Sequence, residues 1–189
     1  MNTAKQKSLD EITADMLESG MCEELAKTAT NIVPGEGDPD AAIVFIGEAP
    51  GRNEDLTGKP FIGASGKFLT GLLEGISLKR EDVFITSAVK YLPEYVTPSL
   101  ADIEHGRTHL FAQLDIIQPK IIVLLGNTAA VALLNHKISI AKDHGTIIEQ
   151  DGRKYLVAYH PAAPLYSPKL RLEIAKDFAT LKTLLKKSK

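Results

Sequence analysis

Short unbroken apolar runs alternate along this chain with stretches of helical spacing. The run at 41–46, Ala-Ala-Ile-Val-Phe-Ile, stops at Gly47, and Leu-Val-Ala-Tyr at 156–159 stops at His160-Pro161. Runs this short, bounded by Gly and Pro, predict strands buried on both faces. The pattern predicts strands over 42–46, 83–89 and 120–125, and a further one ending at Tyr159. A hairpin arm, 146–149 against 154–155, precedes that last strand, turning at Asp151-Gly152, a favoured two-residue turn. Ser8 followed by Glu11 has the form of a capping box and predicts a helix with Ile12, Met16 and Leu17 on one face. That helix ends near Gly20 and resumes to Ala26. Further helices are predicted over 67–76 with Phe68, Leu69, Leu72 and Leu73 inward, from a Ser99 cap to 117, over 128–134 and over 170–186. The stretches 31–40, 53–63 and 92–98 read as loops. Strands alternating with helices predict a three-layer α/β/α sandwich around a central, mainly parallel four-stranded sheet. One domain is expected over 1–189, with 1–25 an N-terminal helix and 26–189 the core.

Composition narrows the class. The 189 residues suffice for a substantial core, and 44% hydrophobic with 24% charged residues is ordinary for a globular protein. No apolar run approaches the ~20 residues of a membrane span. The N-terminal segment is polar and mixed in charge, unlike a secretory signal, and the one cysteine, Cys22, excludes an internal disulfide or a multi-cysteine metal site. A cytoplasmic protein is expected. A net charge of −2 argues against indiscriminate nucleic-acid binding and leaves open a basic face.

Two strand exits carry candidate chemistry. After the first strand come Gly47, Glu48, Ala49, Pro50 and Gly51, then the acidic pair Glu54-Asp55; after the last come His160 and Pro161. Ligands of open α/β sheets bind just past the carboxyl ends of strands, so a carboxylate and a histidine there make a candidate active site. His105, His109, His136 and His144 have no Cys or carboxylate partners at metal-ligand spacing, and no metal site is expected.

These segments resemble the uracil-DNA glycosylase superfamily, most closely its family 4. That family's GE(A/G)PG..ED loop is matched by Gly47-Glu48-Ala49-Pro50-Gly51 with Glu54-Asp55, and its G.PF(V/I)G.(A/S)G segment by 58–66. Its VPGEG is matched by 33–37, its P..I..LG strand by 119–126 and its HP by His160-Pro161. The likeness runs from about 26 to 184. It departs in two places. Family 4 members hold an iron–sulfur cluster on four cysteines, and Gly20, Glu23, Tyr91 and Gly106 stand at those positions with Cys22 out of register, so no cofactor is expected. Where the family's second strand ends in Thr-Asn, this chain has Thr86-Ser87, and a hydroxyl replaces an amide that both donates and accepts at the uracil edge. The Arg-Arg-Ile-His insert of the branch that traps itself covalently on DNA has no counterpart after Lys90.

The resemblance implies a role for each remaining candidate. His160 would stabilise the departing base as an anion, and Glu48 would orient water and stabilise the sugar cation. Ala49 stands where the most active branch has its aspartate. Phe61 would stack on the base, with Gly47, Ala49, Ser87, Glu54 and Asp55 around it. The stretch from Pro161 to Pro168 is like the superfamily's minor-groove loop, so Pro161 would contact DNA and Leu165 or Tyr166 would fill the gap left by the flipped base, while Ser65, Lys67, Lys169 and Arg171 would meet phosphates. The expected protein is a monomeric, monofunctional uracil-DNA glycosylase acting on single- or double-stranded DNA, independent of membranes. Its rivals are a glycosylase shifted by Ser87 toward hypoxanthine or another deaminated base, a non-catalytic module for damaged or single-stranded DNA, and a small-molecule nucleotide binder.

Overall fold

The apolar runs become the centre of one six-stranded sheet in a computed structural model that describes residues 3–18, 29–95, 97–134 and 138–187. Its strands are β1 (Glu36–Gly37), β2 (Ile43–Gly47), β3 (Phe84–Ser87), β4 (Ile121–Leu125), β5 (Ile147–Gln150) and β6 (Arg153–Ala158), in the order β1-β3-β2-β4-β6-β5. The four inner strands are parallel, as their unbroken apolar runs predict. The sheet has six strands rather than four because an antiparallel strand closes each edge, β1 on β3 and β5 on β6. A two-residue strand such as β1 has no periodicity to read. The β5–β6 hairpin forms as expected, with Asp151 and Gly152 both at positive φ.

Helices cover both faces: α1 (Thr3–Glu18), α2 (Arg52–Thr57), α3 (Ala64–Gly75), α4 (Leu100–Ile117), α5 (Asn127–Leu134), the single turns α6 (Ile140–Asp143) and α7 (Ala163–Tyr166), and α8 (Leu170–Lys187). Alternate residues of each inner strand face opposite layers. Val44, Ile46, Ile122 and Leu124 pack under Leu9, Leu110, Leu114 and Ala129, while Ile43, Phe45, Val123 and Leu125 pack under Leu69, Leu73, Ile174 and Phe178.

Three helical expectations change. Helix α1 starts at Thr3, so Ser8 is an interior residue and not its cap. Its buried face is Leu9 and Met16 with Ile12 alongside, and Leu17 is 61% exposed. The 53–63 loop begins with helix α2, too short for a periodic signal. The predicted resumption to Ala26 lies outside the described residues. Ser99 caps α4 as expected, its hydroxyl accepting from the Asp102 amide while the Asp102 carboxylate accepts from the Ser99 amide. No helix among the described residues is long and apolar enough to cross a membrane.

Candidate active site

The chain crosses from β2 to β3 on one side and then from β3 back to β4 on the other side of β2, and that reversal opens a crevice at the strands' carboxyl ends. The cavity there, about 320 Å³, is lined by Glu48, Ala49, Phe61, Ser87 and His160 among others. Gly47 and Ser87 are register partners, so the turn carrying Glu48 leaves the sheet beside Ser87. Backbone bonds from Ala88 N to Gly47 O and from Val89 N to Glu48 O, each 3.0 Å, extend the ladder past both strand ends.

His160 stands two residues past the end of β6. Its Nδ1 accepts the Ala162 amide at 3.1 Å, which leaves the proton of the neutral ring on Nε2. Burial lowers its pKa to about 4, so the ring is neutral at ordinary pH. The Phe61 ring lies 5.6 Å from it, centroid to centroid, tilted by 34°. Phe61 crowds Gly47: a Cβ there would fall 2.5 Å from Phe61 Cζ, with His160 Nε2 in ordinary contact at 3.6 Å. Glycine at 47 is thus a demand of the pocket floor. Behind His160, Gly126 has φ +95°, a conformation that suits glycine.

Glu48 meets a residue that the sequence did not single out. Thr128, near the start of α5 past the exit of β4, donates its hydroxyl to Glu48 Oε2 at 2.6 Å. Ser87 is 3% exposed on the cavity wall. Behind it, the fully buried Lys90 donates to Thr86 Oγ1 at 2.6 Å and to Gln113 Oε1 at 2.8 Å, and burial lowers its pKa to about 7.

The acidic pair does other work than the expected base contacts. Glu54 reaches the cavity wall, yet its Oε1 accepts from the amides of Ile62 at 2.9 Å and Gly63 at 2.8 Å. It thereby shapes the loop that carries Phe61 and sets a carboxylate at the start of α3, where the helix dipole favours negative charge. Asp55 does not line the cavity: its Oδ1 accepts from the amides of Thr30 at 2.7 Å and Asn31 at 3.2 Å. Two carboxylates in one motif were legible; the backbone each one serves was not.

Of the expected DNA contacts, Ser65 lines the cavity and Lys67 is exposed one residue pair further along α3. Leu165 and Tyr166 are 50% and 88% exposed on α7, beside His160 in sequence. Lys169 is exposed, and the Arg171 guanidinium lies 5.6 Å over the Phe68 ring. Pro161 is buried, which removes it from the expected DNA surface. Arg52, at the start of α2, also lines the cavity, as do Leu92, Pro93 and Tyr95, which were missed because the 92–98 loop has no signal beyond its prolines.

Two of the four cluster positions implied by the resemblance, Tyr91 and Gly106, lie among the described residues, and neither side chain is a cluster ligand. Tyr91 is fully buried and donates its hydroxyl to Asp102 Oδ1 at 2.6 Å, tying the 92–98 loop to the cap of α4. A Cβ on Gly106 would lie 2.0 Å from Ala88 O, so no side chain fits there. Gly20, Cys22 and Glu23 lie outside the described residues, among which no group of three or more His, Cys, Asp or Glu is placed to hold a metal ion.

A mixed sheet thus brings a carboxylate turn from one strand exit, a neutral histidine from another and an aromatic ring to a single cavity. Residues 34–185 match the Uracil DNA glycosylase superfamily, and the chain belongs to that family. It is similar to the Type-4 uracil-DNA glycosylase of Archaeoglobus fulgidus, 44% identical over 91% of this chain and 90% of that one. It is similar to that of Thermotoga maritima, 37% identical over 96% and 97%. The Type-5 uracil-DNA glycosylase of Thermus thermophilus is 34% identical over 68% of each chain.

Proposed function

We propose that this protein hydrolyses the N-glycosidic bond of deoxyuridine in DNA, releasing uracil and leaving an abasic site, the opening reaction of base excision repair. The observation that carries this is the His160–Ala162 bond, which leaves an Nε2–H donor beside the Phe61 ring in a cavity shared with Glu48. The target nucleotide leaves the stack and its base enters the cavity against Phe61. As the bond breaks, its electrons leave with the base, and His160 Nε2–H donates to the base oxygen that gains charge. Glu48, steadied by Thr128, faces the cationic sugar and orients the water whose oxygen adds to it; the water's proton goes to the carboxylate or to solvent.

Ser87 meets the base edge in this reading. Leu165 and Tyr166 occupy the gap in the duplex, and Ser65, Lys67, Lys169 and Arg171 approach phosphates. Among the described residues the cavity lining contains no lysine, which supports a monofunctional reaction without a Schiff base. The buried Tyr91 and the crowded Gly106 support an enzyme that works without an iron–sulfur cluster, and the single cysteine suits the reducing cytoplasm. A second reading, preference for hypoxanthine or another deaminated base, is favoured by Ser87 alone.

The test is cleavage of matched uracil, hypoxanthine and undamaged oligonucleotides, single- and double-stranded, with and without alkali. Uracil-dependent cuts that need alkali are expected. Cuts without alkali would contradict a monofunctional enzyme, and activity confined to hypoxanthine would favour the second reading. Chelation should leave activity intact, and the purified protein should show no iron–sulfur absorbance.

A further inference from the structure

Arg80 lies outside the cavity lining, in the short turn Arg80–Asp82, yet its guanidinium is fastened to the loop that carries Phe61. Its Nη1 donates to Phe61 O at 3.1 Å and its Nη2 to Pro60 O. The same group is held from the other side by Glu36, whose Oε1 accepts from Nη2 at 3.0 Å and from Nε at 3.3 Å. One planar fork thus joins two successive carbonyls to an edge-strand carboxylate, a geometry that an ammonium cannot reproduce.

The loop needs holding. Phe61 has φ +50°, a left-handed conformation that a bulky residue seldom adopts and that persists only where its surroundings impose it. Glu54 fixes the next two amides, and Gly66 leaves room for the Phe61 carbonyl, since a Cβ there would fall 1.8 Å from that oxygen. Glu36 is itself delivered by close packing: Gly37 has φ +137°, and a Cβ on it would lie 2.0 Å from Val83 O. This gives the 33–37 motif a purpose at the site.

We propose that Arg80, oriented by Glu36, is a positioning residue for the base platform: it locks the Phe61 backbone in the conformation that turns the ring toward Gly47 and His160, so that the pocket is formed before a base enters. The inference rests on Phe61 being the platform for uracil. The ion pair is partly exposed and adds little stability by itself; its part is to orient the guanidinium whose carbonyl bonds hold the loop.

The experiment measures inhibition by free uracil, affinity for abasic-site DNA and melting temperature for the full-length protein and for Phe61→Ala, Arg80→Ala, Arg80→Lys and Glu36→Gln. Phe61→Ala and Arg80→Ala should weaken uracil inhibition about tenfold, with Arg80→Lys and Glu36→Gln intermediate and abasic-DNA affinity unchanged throughout. If Arg80→Ala unfolds, Arg80→Lys and Glu36→Gln carry the test. Loss of uracil inhibition in Phe61→Ala with none in the folded Arg80 and Glu36 variants would overturn the clamp and leave the platform standing. Undiminished inhibition in Phe61→Ala would overturn the platform, and the clamp with it. A parallel fall in abasic-DNA affinity in the Arg80 variants would also overturn the proposal, marking a general structural role.

Discussion

The amide of Ala162 donates to Nδ1 of His160 across 3.1 Å, within the turn that follows β6. This bond, between residues two apart, leaves the ring proton on Nε2 and turns that N–H toward the cavity. If that Nε2–H stabilises the departing base, His160→Ala should lower turnover about 10²–10³-fold while leaving DNA affinity unchanged, as loss of an oxyanion donor does elsewhere. Single-turnover rates beside binding isotherms check this, and unaltered turnover would remove His160 from the reaction.

The same burial has a consequence for stability. The folded-state pKa of His160, about 4, lies below its ordinary value near 6.5. Between those values the unfolded chain binds the extra proton, so stability rises with pH across that window and is lost as pH falls through it. At most ~3 kcal/mol is at stake at neutral pH. Melting curves from pH 4 to 7 should show this rise, and His160→Gln should flatten it; an unchanged slope would mean that the ring is more hydrated than its packing indicates.

Thr128 and Glu48 are 80 residues apart in sequence and 2.6 Å apart in space. If Glu48 orients water, Glu48→Gln should cost about 10²-fold or more in turnover, while Thr128→Val, which removes only the donor that steadies it, should cost less, about tenfold. Equal losses from both would make Thr128 a contributor in its own right. No loss from Glu48→Gln would place the water elsewhere.

Ser87 is buried at the cavity wall, where a longer side chain would meet whatever base enters. Ser87→Asn should raise turnover on uracil relative to hypoxanthine, because an amide both donates and accepts in one plane. The ratio of the two single-turnover rates is the readout, and an unchanged ratio would put Ser87 off the base edge.

Much of this was legible because the signals are local. Strands β2, β4 and β6 announce themselves as apolar runs stopped by Gly or by His-Pro, and α4 by its Ser99 cap. Glu48 and His160, which line one cavity, were legible as candidates because both stand at strand exits, where the topology of a parallel sheet places a ligand. What escaped is non-local. Nothing in the sequence distinguishes Glu54, which holds the amides of Ile62 and Gly63, from Asp55, which holds those of Thr30 and Asn31. Arg80 and Thr128 escaped likewise, since each acts through a partner tens of residues away. Pro161 was misjudged because an HP motif marks a place in the chain without saying which of its two residues is buried.

The most direct test is quantitation of free uracil released from a uracil-containing single-stranded oligonucleotide in single turnover, comparing the native protein with the Glu48→Gln, His160→Ala double variant at equal DNA occupancy. The native protein should release one uracil per site and leave alkali-labile DNA, and the double variant should bind equally and release almost none. Release by the double variant at the native rate, or none by the folded native protein, would contradict the assignment of this cleft as the site of base excision.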